Sequence, residues 1–330
     1  MTFPPALLDV FSQPAISVAV ERFVGYPNWL YRLIGHPVTW MGALISYMDE
    51  KMNTTAHVKS LSRLNGVLAL LLLCVCVWFA ATAIEVICRA IPYGFVASAL
   101  IATSLIAQKS LRDHVRDVAR GLSSSLSDGR IAVAQIVGRD TRGLNVSDVV
   151  KAALESLAEN TADGIVAPVF WYCVGCFTIG GLPALALYKA INTADSMIGH
   201  KTPQYLHFGW AAARTDDLVN LPASRLTALL FILASLFSGK DRALKAARVT
   251  WRDARRHRSP NAGWPEAAMA GALGYKFGGP RTYGGEFVKL PYMGDGRDNF
   301  LRQDIDAGLK LFDRAMWILL AITVVFAIIL

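Results

Sequence analysis

Residues 66–84 read GVLALLLLCVCVWFAATAI, without one charged side chain. Wound as an α-helix at about 1.5 Å per residue, such a segment crosses the roughly 30 Å hydrocarbon layer of a bilayer. It has company. Residues 90–108 are a second uncharged stretch, and residues 164–188 a third, interrupted by Gly180, Gly181 and Pro183. Residues 218–239 carry only Arg225, and residues 315–330 run apolar throughout. A buried helix of a soluble protein can mimic any one of these, but not all five in 330 residues that are 54% hydrophobic and 18% charged, with a mean hydropathy of +0.38. The expected fold is an all-α, polytopic membrane bundle of about five segments, some of them broken or re-entrant. It forms one membrane-embedded domain over residues 1–330, with 109–160 and 240–310 largely outside the bilayer.

The net charge of +8 is concentrated. Lys109, Arg112, Arg116, Arg120 and Arg130 follow the second apolar stretch. Lys240, Arg242, Lys245, Arg248, Arg252, Arg255, Arg256 and Arg258 follow the fourth. The positive-inside rule puts both on the cytoplasmic face of the inner membrane. Lacking interleaved aromatic residues and lying beside membrane segments, they do not read as a nucleic-acid surface. Residues 14–24 contain Glu21 and Arg22 and suit a partial or interfacial helix; a cleaved leader is not expected. Cys173 and Cys176 form a lone C-x-x-C, which without a second ligand pair reads as packing rather than zinc, and no disulfides are expected.

Outside the spans, residues 37–53 have helical spacing with Val38, Met41, Leu44, Ile45 and Met48 on one stripe. Residues 109–137 read as one amphipathic helix. Ser147 reads as the N-cap of a helix over 148–160. Helices are expected over 184–198 and 265–273, with a glycine-rich connector over 278–296. If 164–188 crosses once, the following loop lies outside; if the Gly-Gly-Pro break turns it back, that loop lies inside. The re-entrant form is favoured, because irregular backbone at membrane depth is tolerated where it lines a protein cavity.

Glu155, Glu159 and Asp163 recur at four-residue intervals, which a continuing helix places on one face with Asn160 beside them. Stacked carboxylates repel unless protons or a cation intervene, and Mg²⁺ takes one or two carboxylates together with phosphate oxygens. The bland alternative is a solvated acidic face, but this one runs straight into an apolar span. The tetrapeptide N-T-A-D occurs at 160–163 and again at 192–195, where Lys189, Asn192 and Asp195 share a helix. Arg214, Asp216, Asp217 and Asn220 form a third polar cluster. Interhelical hydrogen bonding is the structural alternative to one shared site. The segment SPNAGWPE, with Asn261 and Glu266, opens a helix whose free N–H groups suit an anion. No P-loop, H-E-x-x-H or G-x-S-x-G is present. The residues alone lead to a membrane protein with a polar site for a metal or a polyanion.

In order, GHPVTWMG (35–42), VGRDT (137–141), AALESLAENTADGIVAPVFWY (152–172), YKAINTADSMIGHK (188–201), FGWAAARTDDLVNLPASRLTALL (208–230) and SPNAGWPEAAMAGALG (259–274) resemble the adenosylcobinamide-phosphate synthase family of cobalamin biosynthesis. The likeness covers about residues 20–290. Tyr26 stands where that family usually has Asp in an acidic-then-Gly-Asp-Pro segment, so either Glu21 serves alone or that carboxylate is dispensable here. The resemblance implies ATP-dependent formation of an amide between adenosylcobyric acid and aminopropanol or its phosphate. A carboxylate is a poor electrophile, so ATP would first activate it, as an acyl phosphate or an adenylate. Mg²⁺ would neutralise phosphate charge. Under this likeness Glu155, Glu159, Asp163 and Asp195 are candidate metal ligands. Lys189, Lys201 and Arg214 would stabilise phosphate, and Asp216 or Asp217 would take the amine proton. Asn160, Asn192, Asn261, Glu266, Arg139, Asp140 and His36 complete the substrate- and nucleotide-binding set. The lipid bilayer, later cobalamin enzymes at the membrane and a second copy of the chain are compatible partners. A prenyl- or phospho-transferase with an acidic metal site, or a transporter with broken helices, are the rival classes; the first predicts turnover without ATP, the second flux without chemistry.

Overall fold

The structure, a computed structural model, describes residues 5–54, 58–138, 140–283, 286–288 and 290–330. The helices begin with α1 (Pro5–Phe23), α2 (Asn28–Ile34), α3 (Pro37–Met52), α4 (Lys59–Arg89) and α5 (Gly94–Thr103). There follow α6 (Gln108–Ser124), α7 (Leu126–Ala134), α8 (Val146–Thr161), a π turn (Ala162–Val166), α9 (Ala167–Cys176) and α10 (Gly181–Ile198). Next come α11 (Trp210–Val219), α12 (Leu221–Ser235), α13 (Lys240–Asp253) and α14 (Gly263–Leu273). Four short strands, β1 (Phe277–Gly278), β2 (Arg281–Tyr283), β3 (Glu286–Val288) and β4 (Tyr292–Met293), precede α15 (Asp304–Ile329). The all-α membrane architecture stands. Lys59–Arg89, Gly94–Ser124, Leu221–Ser238 and Asp304–Ile329 are long and apolar enough to cross a membrane.

The chain divides into two compact units. The first comprises residues 1–107, 167–220 and 322–330. Its core joins Met41, Ile45 and Met48 of α3, as the apolar stripe predicts, to Leu73 and Val77 of α4 and Leu185 and Ala190 of α10. Only 22% of the most apolar window of α4 is buried, and Leu68, Leu71, Leu72, Val75 and Phe79 point outward. In water such a surface would drive association; in hydrocarbon it is simply solvated. Gly66 lets α4 approach residue 208 closely: a Cβ there would lie 1.9 Å from the Phe208 carbonyl oxygen.

One reading changes within this unit, and one left with two alternatives is narrowed. α1 is a full 19-residue helix with Phe11 and Val18 buried, rather than a partial one. The 164–188 stretch is not one span. It breaks after α9, at Gly180, whose φ of +104° is accessible only to glycine, and restarts as α10 with Pro183 in the first turn, where a missing N–H costs nothing. Glu85, buried in α4 beside its partner Arg89, faces this break: a Cβ on Gly180 would be 2.6 Å from its Oε2. A carboxylate at the start of α10 also complements the positive end of that helix.

The second unit comprises residues 108–166 and 221–321. Its centre is α14, where Ala267, Ala268, Met269 and Ala270 are fully buried. Small side chains allow α12 and α13 to pack closely on it. The predicted 109–137 helix is two helices, because Ser125 ends one and caps the next, accepting from Asp128 N–H. The α8 cap is Asn145, in a reciprocal pair with Asp148, rather than Ser147; Ser147 Oγ instead accepts from Phe300 N–H at 2.8 Å. The glycine-rich connector is also more ordered than its composition suggests. β1 pairs antiparallel with β4, and β2 with β3. Arg112 ties α6 to α15 through a two-pronged ion pair with Asp313 at 2.9 and 3.0 Å.

Asp253, 1% exposed, anchors the connector. It accepts from Arg252 at 2.7 Å and from Gly294 N–H at 2.9 Å, with Arg256 at 3.3 Å. Burial pushes its carboxyl up, but these donors and charges outweigh it and hold the group below the usual carboxylate range. A depressed folded-state pKa means stability that is present above the unfolded value near 4 and lost as pH falls through the folded value. Asp253→Asn is therefore expected to cost about 1.5–3 kcal/mol at pH 7, the range for hydrogen bonds to charged groups. The difference should shrink in strong acid, as read by thermal melts at several pH values.

Candidate functional site

In the first unit, α10 and α11 bring polar groups together. Asp216, on α11, is 8% exposed and accepts from Asn192 Nδ2, on α10, at 3.2 Å. One turn earlier on α10, Tyr188 donates its hydroxyl to Asn220 Oδ1 at 2.8 Å. Asn220 is 1% exposed, and its amide lies beside the Asp216 carboxylate, whose charged form it favours. Burial raises the Asp216 pKa, opposed by the Asn192 and Asn220 amides and by Lys189. A carboxylate tuned upward in this way is a better proton acceptor than a free one.

Asp217, its neighbour, is half-buried and is also raised by burial, against the charges of Arg214 and Lys201. Arg214 lies 3.6 Å from it. His36 caps α3, accepting from Val38 N–H at Nδ1, and its pKa is lowered by burial and by the Lys189 ammonium. Tyr26 packs edge-on against the His36 ring at 4.6 Å and donates to Gly35 O at 2.7 Å. The phenol thus clamps the turn that presents His36, which gives Tyr26 a structural task at a position where the resembling family carries an acid. His36, Lys189, Asn192, Lys201, Arg214, Asp216 and Asp217 are therefore linked by bonds or charge. Asp195 is half-buried farther along α10, against Gly199 of its own helix turn.

In the second unit, Glu155 is buried and accepts from Gly278 N–H at 2.7 Å, while Lys151 donates to Gly278 O. These two residues of α8 hold β1. Glu159 is exposed, and Asp163 is half-buried in the π turn. A π turn widens the backbone and recurs at functional positions. It begins one residue before Asp163, so the α-helical four-residue register of the acids ends there. Asn160 donates to Ser156 O and Oγ at 2.9 and 3.0 Å.

Asn261, 6% exposed, accepts from Ser224 Oγ at 3.2 Å and Arg225 Nη1 at 3.1 Å. Glu266 is buried, 3.9 Å from His257 Nε2. Asp140 is exposed and pairs with Arg142, two residues on, whose bonds lower its pKa to about 2. Arg139 lies outside the described residues.

Among the described residues no group of three or more His, Cys, Asp and Glu gathers as a metal site. A magnesium ion carried on phosphate oxygens needs only one or two carboxylates. Glu159 and Asp163, hard oxygen donors that are not fully buried, suit that arrangement, whereas Glu155 is buried and gives its Oε1 to Gly278 N–H. Sequence reasoning passed over Tyr188 and Ser224 because neither carries charge. It noted Arg225 without assigning it a part, although a lone charge in a span is itself a signal.

Residues 14–312 match the sequence model of the family described as CobD/Cbib protein. The chain belongs to that family. A Cobalamin biosynthesis protein CobD from Sinorhizobium sp. is 48% identical over 302 residues, covering 90% of this chain and 92% of the relative. Those of Rhizobium meliloti (strain 1021) and Sinorhizobium fredii (strain NBRC 101917 / NGR234) are 47% and 46% identical; they cover 90% and 96% of this chain, and 90% and 97% of their own length. No solved structure matches. Membership of the CobD/Cbib family places the chain in cobalamin biosynthesis, as a membrane protein among its biosynthetic enzymes.

Proposed function

We propose that the protein joins a carboxylate of adenosylcobyric acid to the amine of aminopropanol or aminopropanol phosphate in an ATP-dependent ligation. The substrate carboxylate attacks a phosphorus of ATP, expelling ADP to become an acyl phosphate or expelling pyrophosphate to become an adenylate. The amine nitrogen then forms the C–N bond as the phosphate or nucleotide leaves. At neutral pH the amine arrives as an ammonium ion and must lose a proton before it can attack. The observation that carries this reading is the Asp216 site: a buried carboxylate of raised proton affinity, oriented by Asn192, with Lys189 close enough to stabilise an anion. Of the two neighbouring acids, Asp217 is the poorer base, because Arg214 and Lys201 favour its charged form.

Glu159 and Asp163 would hold Mg²⁺ brought with ATP, which supplies neutralisation of the phosphate charge. The ligation is tested by incubating detergent-solubilised protein with adenosylcobyric acid, Mg-ATP and each amine, and identifying products by mass. An amide product that requires ATP supports the reading. Folded protein that yields none with either amine removes it. Glu159→Gln is expected to lower turnover at least tenfold and to raise the Mg²⁺ concentration giving half-maximal rate. An unchanged Mg²⁺ profile would take Glu159 out of the metal site.

A further inference from the structure

Arg225 is the one charged residue within the 221–238 span. A guanidinium at such a position is expensive unless it is paired or serves a ligand. Its Nη1 donates to three neutral acceptors: Leu221 O at 3.1 Å, Ser224 Oγ at 3.0 Å and Asn261 Oδ1 at 3.1 Å. The group lies over the Trp264 ring at 4.6 Å, which sets its plane. Its Nε and Nη2 edge makes no hydrogen bond among the described residues, and no described carboxylate pairs with it. The neighbouring acids are engaged elsewhere, Asp253 with Arg252 and Arg256, and Glu266 beside His257.

The helix start that carries Trp264 packs on the backbone next to Arg255, since a Cβ on Gly263 would lie 2.2 Å from the Ala254 carbonyl oxygen, and Arg255 adds a like charge at Arg225. Arg255 is exposed, sits over Trp251 at 5.4 Å and likewise has no acid partner among the described residues. Two stacked guanidinia close enough to repel, with no described acid paired to either, are stable together when an anion completes them. A guanidinium fork offers parallel N–H donors matched to two oxygens of a phosphate.

We propose that Arg225, held by Asn261 and Trp264, and Arg255 form a receptor for a phosphate group. Two sources share that chemistry: a small phosphate ester, which under the proposed ligation is the phosphorylated amino alcohol, and a phospholipid headgroup. Only the choice of ester rests on the proposed ligation; the receptor does not.

The test is equilibrium binding to the full chain in phospholipid-free detergent at fixed ionic strength, by calorimetry. The probes are aminopropanol phosphate, inorganic phosphate, aminopropanol and added phosphatidylglycerol. Phosphate-bearing probes are expected to bind wild type, at least tenfold more weakly in Arg225→Gln, less so in Arg225→Lys, and more weakly in Arg255→Gln. Any binding of aminopropanol should change less than twofold. Arginine-dependent binding of the ester identifies a soluble ligand; arginine-dependent binding of the lipid alone identifies a headgroup. Equal phosphate affinity in wild type and the glutamine variants, or no phosphate-bearing probe bound by wild type, overturns the receptor. Should Arg225→Gln fail to fold, Arg255→Gln, altered at an exposed side chain, decides the matter. Because binding is read without turnover, an absent amide product would count against the ligation and leave the receptor standing.

Discussion

Asp216→Asn is expected to lower ATP-dependent amide formation by about 10²–10⁴-fold, the usual contribution of a positioned general base. The protein should nevertheless melt at the same temperature or slightly higher. The substitution keeps the volume and leaves an oxygen to accept from Asn192, while removing a charge that is only 8% exposed. The sign follows from the raised pKa of Asp216. Folding disfavours the ionised form, so the native carboxylate lowers stability as pH climbs from the unfolded value near 4 through the higher folded value. Any gain in melting temperature should therefore be present at pH 7 and disappear in acid. The same shift places the acid limb of the wild-type rate profile above the ordinary carboxylate range, and the variant should lose that limb. Turnover within tenfold of wild type in a folded Asp216→Asn protein would assign the proton transfer to another group.

Gly66→Val is expected to destabilise the first unit by at least about 3 kcal/mol, the upper end of the usual cost of overpacking. The obstacle is backbone: the first added carbon would meet the Phe208 carbonyl oxygen at 1.9 Å and its carbon at 2.8 Å. Phe208 is itself buried, at 1% exposure, so the loop before α11 cannot retreat without emptying core space. That loop leads directly into Asp216 and Asp217, and a milder Gly66→Ala should therefore lower turnover as well as melting temperature. Gly143→Ala is the control, because nothing lies within 4 Å of the added carbon. A melt of Gly66→Val that coincides with wild type in detergent would show that the close approach is not required.

The cost of placing charge in hydrocarbon depends on local composition and length, so the membrane class, the α4 span over 66–84 and the helical stripe of Met41, Ile45 and Met48 were legible in the residues before any fold was known. The motifs likewise sufficed to name the family, since they recur in order along most of the chain. What local pattern did not determine was the fate of each polar group. Glu155, Glu159 and Asp163 look equivalent at four-residue intervals, yet one accepts from Gly278 N–H, one is exposed and one sits in a π turn. Asp216 and Asp217 are adjacent, yet one is buried against α10 while the other faces Arg214. Burial and pairing depend on neighbours brought from distant parts of the chain, and they set the proton affinity and availability of each carboxylate. Which acid faces which neighbour was therefore settled by packing between segments far apart in the chain.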